Sequence, residues 1–152
     1  MIEESSSLAD TRAYFDMIDT PAPIIERATA LIDAYARITD IRDADVFISD
    51  VIDAEGNRTF PSLWIFMADA AFEAKISADG GDQIDGTATR RRIVHWVARL
   101  LDFDFREARA TSRASLEVWF SDEILGDLTA TGPNCLRLTE VLRKYIAVNA
   151  RS

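Results

Sequence analysis

The stretch Ala114-Ser-Leu-Glu-Val-Trp-Phe120 decides the fold, because apolar and polar side chains alternate along it without a break. A period of two residues is typical of a β-strand that buries one face. The breaker Gly132-Pro133 follows, and a helix is predicted from Asn134. Its apolar residues recur at helical spacing: Leu138, Val141, Leu142, Tyr145 and Ile146. The second half of the chain is therefore predicted to be strand-rich and to end in one amphipathic helix.

Two helical patterns lie at the N-terminal end of the chain. A short helix is predicted to end near Asp19, and an apolar stripe predicts a second helix from about Pro23 to Ile38. Strand patterns then run from Val46 onwards. The predicted fold class is α+β, with two N-terminal helices, a curved antiparallel sheet or small barrel of about six to seven strands, and a C-terminal capping helix. We divide the chain into a helical segment, 1–43, and a β domain with its helix, 44–152, which together form one compact unit.

The segment Arg90–Phe105 leaves two alternatives open. Its alternation predicts the longest strand of the chain, whereas Ile93, Val97 and Leu100 also fit helical spacing. The β-branched and aromatic side chains favour the strand.

Charge is distributed unevenly over the 152 residues, whose net charge is −9. Acids dominate the first half, while seven arginines fall within residues 90–113. The arginines either neutralise the acidic front or form an anion site. The overall negative field opposes nucleic acid and acidic lipid surfaces.

The N-terminal sequence and the single cysteine, Cys135, indicate the cellular compartment of the protein. No intramolecular disulfide is possible, which suits a reducing compartment. The N-terminus lacks the basic start and apolar run of a secretion signal, and no apolar run is long enough to span a bilayer. We expect a cytoplasmic protein without membrane insertion. Cys135 lies at a helix start, where a thiol is either activated or simply packed.

Two stretches resemble a known family. Ser62-Leu-Trp-Ile-Phe-Met67 followed by Ala71-Phe-Glu-Ala-Lys-Ile76 is similar to the early hairpin of bacterial pleckstrin-homology-like domains. Ala114–Phe120 and the helix from Asn134 are similar to their end. The resemblance covers roughly residues 44–148 and implies a sheet plugged by the last helix. The first strand-to-strand loop, 53–58, is acidic here, so inositol-lipid binding is not expected.

The first functional interpretation is a non-catalytic interaction or scaffold domain without a cofactor. Its partner is a protein or a second copy, as in a homodimer. The predicted contact residues are arginines and tryptophans, the types enriched in binding hot spots: Arg90, Arg91, Arg92, Arg99, Trp64 and Trp119.

The second interpretation is a small-molecule-binding or isomerase/hydratase-type cone similar to the ketosteroid-isomerase-like family. It places an apolar pocket around His95, Trp96 and Asp102. His95 is the only histidine, which excludes a multi-histidine metal site, but histidine titrates near neutral pH and can act as a base. An enclosed cavity containing His95 favours the cone, whereas a solvent-facing His95 favours the interaction domain.

Overall fold

The structure is a computed structural model in which most of the chain is described. The described residues are 6–38, 40–41, 44–67, 71–76, 81, 83–85, 93–104, 107–121 and 125–150.

Three helices lie in this part of the chain, namely α1 (Ser6–Met17), α2 (Ala22–Ile38) and α3 (Asn134–Ala150). They confirm the two N-terminal helices and the closing helix predicted from the apolar periodicity. The chain leaves α1 through Asp19, whose φ of 53° lies in the left-handed region and ends the helix. Pro21 then precedes α2, where a missing N–H costs little.

The described residues form nine strands, more than the number predicted. They are β1 (Asp45–Ile48), β2 (Val51–Ile52), β3 (Arg58–Thr59), β4 (Ser62–Phe66), β5 (Ala71–Lys75), β6 (Gln83–Asp85), β7 (Ile93–Asp104), β8 (Glu107–Phe120) and β9 (Leu125–Thr131). The surplus comes from short strands, β2, β3 and β6, which contain too few residues to show a period.

All strand pairs are antiparallel, which confirms the α+β class. One sheet has the order β1-β4-β5-β6, a second pairs β2 with β3, and a third has the order β7-β8-β9. The amide of Asp50 donates to the carbonyl of Thr129 at 3.1 Å and so joins the β1–β2 connection to β9. The arrangement is a set of open sheets and not a closed barrel.

The segment after residue 92 is a strand, as its β-branched and aromatic content predicts. It is not the longest strand, since β7 has 12 residues and β8 has 14. β8 is the central strand of its sheet, and Ala114, Leu116, Val118 and Phe120 are all buried along it. The predicted alternation of that stretch is thus the inner and outer face of a central strand.

The core lies between the inner faces of the sheets and the three helices. Trp64 stacks on Phe66 and Phe120, with ring centroids 5.7 and 6.2 Å apart. Gly126 permits this packing, because a Cβ there would lie 2.8 Å from the Trp64 ring. Buried residues of α1 and α2 belong to the same cluster, so the N-terminal helices pack on the core of the sheets.

Candidate functional site

Strand β7 forms one margin of the three-stranded sheet. It pairs with β8 on one side, and no other described strand pairs with its free edge. Four large apolar side chains on it are exposed, by 66% at Val94, 50% at Trp96, 43% at Leu100 and 68% at Leu101. We call these four residues the β7 edge surface. Trp96 pairs with Val118 across the ladder, and Val118 is fully buried, so burial falls sharply from β8 to this part of β7, although Ile93 at the start of β7 still packs against the core.

The β7 edge lacks most of the devices by which proteins protect an open strand. Its sequence, Ile-Val-His-Trp-Val-Ala-Arg-Leu-Leu-Asp-Phe-Asp, contains no lysine and no proline. Irregularities at Val94 and Asp102 interrupt the ladder, but residues 95–101 pair regularly with β8. Residues 95–101 include one exposed charge, Arg99, beside exposed apolar side chains, and such a regular open edge is a template for pairing with another chain.

The predicted contact residues are distributed over different parts of the structure. Arg90, Arg91 and Arg92 lie outside the described residues. Arg99 is exposed on β7, with its Nη1 3.6 Å from Glu117 Oε1. Trp64 is 1% exposed because both faces of β4 are covered, so it lies in the core and not on the predicted surface. Trp119 is half-buried on β8.

The structure does not bring His95, Trp96 and Asp102 together around one cavity within the described residues. His95 is exposed and lies against Trp119, with ring centroids 5.0 Å apart. Trp96, as its neighbour on the strand, points to the opposite face. Asp102 is exposed and is held by the Thr111 hydroxyl and by Arg109 Nη1, the latter at 2.8 Å. These two hydrogen bonds lower the pKa of Asp102, Thr111 having the larger effect, and this favours its carboxylate form.

A groove of about 260 Å³ lies where β7, β8 and β9 meet Asp50 and Val51. The strand register places Arg99, Ser115 and Thr129 in one row across the sheet, and Leu101, Arg113 and Thr131 in the next row. We call this the outer groove, because these six residues share the face opposite the buried Ala114, Leu116 and Val118. His95, Trp96 and Asp102 do not line it.

A buried carboxylate lies beside this groove but belongs to a different arrangement. Asp50 is completely buried and accepts hydrogen bonds from Arg58 Nε at 2.7 Å, Asn134 Nδ2 at 2.7 Å and the Thr131 amide at 2.9 Å. The Thr131 hydroxyl also donates to it. A buried charge is tolerated when it is paired and hydrogen-bonded in this way.

Tyr14 extends the same arrangement into α1. Its hydroxyl donates to Asn134 Oδ1 at 2.6 Å and accepts from the Ile48 amide at 3.0 Å. Burial raises the pKa of Tyr14, which keeps the phenol protonated as a donor. We call Asp50, Arg58, Thr131, Asn134 and Tyr14 the Asp50 network. Its members come from distant parts of the sequence, so the periodicity of neighbouring residues contains no signal for it. The one local signal is Asp50, an acid two residues after the end of the buried strand β1.

Cys135 is a packed residue. Its side chain is completely buried, and its thiol lies 3.5 Å from the Ala130 carbonyl oxygen. Burial raises the pKa of the Cys135 thiol to about 11, so the reactive thiolate is disfavoured at neutral pH. Among the described residues, no group of three or more His, Cys, Asp or Glu side chains could hold a metal ion. No helix in the same residues is long and apolar enough to cross a membrane.

Comparison of the chain with protein-family models, with curated proteins and with solved structures found no match. The resemblance to pleckstrin-homology-like domains therefore stays a prediction.

Proposed function

We propose that this protein is a non-catalytic interaction module, and that its partner is a second copy of the same chain paired along β7. The observation that carries the proposal is the exposed β7 edge surface on a strand whose second edge is paired by no described strand. Antiparallel pairing of two β7 strands about a two-fold axis would join two three-stranded sheets into one of six strands. The main-chain N–H and C=O groups of residues 95–101 that point away from β8 would then gain partners.

Exposed apolar side chains lie on both faces of the sheet along β7. The register places Trp96 and Leu100 on the face of Val118 and Ala114, and Leu101 on the opposite face with Arg113. Pairing of two β7 strands would bring such side chains next to those of the second copy on both faces of the joined sheet.

We expect the protein to bind no inositol lipid, nucleic acid or membrane. In the β2–β3 turn, Asp53 Oδ1 accepts hydrogen bonds from the amides of Glu55 and Asn57, at 3.0 and 2.8 Å. This is an acidic turn folded on its own carboxylate, and it offers no cation to a phosphate. The isomerase-type alternative receives no support from the positions of His95 and Asp102, since both are exposed and each already contacts a neighbour.

Sedimentation equilibrium at micromolar concentration tests the proposal with Trp96→Lys and Val94→Lys. Each variant would place a charge inside the paired edge, so we expect a dimer for the wild type and a monomer for both variants. Ile38→Lys is the matched control, because Ile38 is 71% exposed at the end of α2, and this variant should remain dimeric. A monomeric wild type, or dimeric Trp96→Lys and Val94→Lys proteins, would contradict the proposal.

A further inference from the structure

The outer groove has cationic side chains at its rim. Arg99 is 68% exposed, and its 3.6 Å separation from Glu117 is longer than a charge-assisted hydrogen bond of about 2.8 Å. Arg113 donates to the carbonyls of Ala110 and Ser112 at 3.0 and 2.8 Å, both through Nη1. Within the described part of the chain, its Nε and Nη2 form no hydrogen bond, so this guanidinium retains donors for a ligand.

A buried hydroxyl in the groove also lacks a partner. Thr129 Oγ1 is shielded from solvent and makes no hydrogen bond to any described residue. The register places it in line with Ser115 and Arg99, so two hydroxyls and a guanidinium follow one another across the three strands. Buried hydroxyls are usually satisfied, and one that is not calls for an explanation. An anionic oxygen bound in this row would accept from it.

The nearest acids do not fill this role. Asp50 lines the groove, but its carboxylate is completely buried and already accepts from Arg58, Thr131 and Asn134. Glu117 and Asp127 occupy the neighbouring row of the ladder, together with Val97. The Arg99–Ser115–Thr129 row itself contains no acid.

The remaining walls are apolar and the space is small. Val51 and Leu101 contribute apolar side chains to the lining, whereas Leu100, Ala114 and Ala130 line it from the row whose side chains point to the other face. A volume of about 260 Å³ lies below the lower end, about 300 Å³, of pockets that hold drug-sized ligands. The ligand must therefore be small, with one anionic end and an apolar body.

We infer that the outer groove binds a small carboxylate with a short apolar chain. The carboxylate lies between Arg99 and Arg113 and accepts from Thr129 Oγ1, while the chain contacts Leu101 and Val51. Arginine is suited to this role, since its planar fork matches both oxygens of a carboxylate. Arg99, Arg113 and Thr129 lie on the face of the sheet and outside the β7 edge surface, whereas Leu101 belongs to both, so the anion-binding part of the site is formed without self-association through β7.

Calorimetric titration with octanoate tests the inference, with 1-octanol as the uncharged probe of equal chain length. We expect saturable binding of octanoate, and binding of 1-octanol at least ten-fold weaker. Arg99→Gln should weaken octanoate binding by about ten-fold, and Thr129→Val, which keeps the shape and removes the hydroxyl, by several-fold. Arg143→Gln, at an exposed arginine of α3, is the control and should bind as the wild type does.

Three results would overturn the inference. They are no saturable binding of octanoate, equal binding of octanoate and 1-octanol, or unchanged octanoate affinity in both Arg99→Gln and Thr129→Val. Circular dichroism of each variant verifies that it is folded. Repeating the titration on Trp96→Lys separates the two proposals, because a monomeric variant that still binds octanoate retains the groove without the dimer.

Discussion

The Asp50 network and the β7 edge surface differ in whether their groups find partners within the chain. In the Asp50 network a charge lies in the interior and every oxygen of its carboxylate accepts a hydrogen bond. Along β7 the apolar side chains lie in solvent and one edge of the strand is unpaired by any described strand. A region whose contacts are complete within the chain stabilises the fold, whereas an incomplete region is where a partner binds.

The largest effect is expected at the centre of the Asp50 network. Asp50→Ala removes the acceptor of Arg58, Thr131 and Asn134 and leaves buried donors unpaired. We expect a loss of about 3–5 kcal/mol in the free energy of unfolding, measured by urea denaturation. Asp33→Ala, at an exposed acid of α2, is the control and should change it by less than about 0.5 kcal/mol. Equal stability of the two variants would show that the network is not structural.

A smaller loss is expected where the network reaches α1. Tyr14→Phe keeps the ring but leaves the Ile48 amide without its acceptor and Asn134 Oδ1 without a donor. The expected cost is about 1–3 kcal/mol in the free energy of unfolding, again by urea denaturation. A variant as stable as the wild type would mean that these two groups find other partners, and that α1 is held by its apolar contacts alone.

Substitution at the β7 edge should leave the stability of the monomer almost unchanged. Trp96→Lys alters a half-exposed side chain that closes no part of the core. We expect the free energy of unfolding to change by no more than about 0.5 kcal/mol, when it is measured at a protein concentration well below the dissociation constant of the dimer. A loss as large as that of Tyr14→Phe would mean that Trp96 belongs to the fold, and the contrast between the two regions would fail.

Cys135 provides the most subtle test of how closed the interior is. Burial raises the pKa of the Cys135 thiol to about 11, so in the folded protein at pH 8 it should react with iodoacetamide far more slowly than a free cysteine does. In the protein unfolded by urea, it should react at the rate of a free cysteine. Because the folded pKa exceeds the unfolded value, the stabilisation from the protonated thiol is complete below pH 9 and is lost as the pH rises towards 11. Rapid alkylation of the folded protein would contradict this burial.

Local periodicity accounts for what the sequence could predict. The alternation of residues 114–120 and the stripes of α2 and α3 are properties of neighbouring residues, and each element lies where its pattern places it. Strands β2, β3 and β6 were not separable in the sequence because two or three residues contain no period. The Asp50 network depends on pairs such as Asp50 and Asn134, 84 residues apart, which no local pattern encodes.

The predicted surface shows the same limit. Trp64 and Trp119 both alternate with apolar neighbours in sequence, yet β4 is covered on both faces while the outer face of β8 is only partly covered. Which strand lies at the margin of a sheet is decided by which strands pair with it. Strands β7, β8 and β9 pair in sequence order, and β7 is marginal because no other described strand pairs with its second edge, which no local pattern encodes. The exposure of Val94, Leu100 and Leu101 follows from the marginal position of β7 and not from their residue types.

Hydrogen exchange of the β7 amides, measured at a high and a low protein concentration, tests the central claim most directly. If two copies pair along β7, the amides of residues 95–101 that point away from β8 are protected at high concentration and exchange rapidly on dilution. The same amides in Trp96→Lys should exchange rapidly at both concentrations. Exchange along β7 that is independent of concentration in the wild type would contradict pairing of β7 with a second copy.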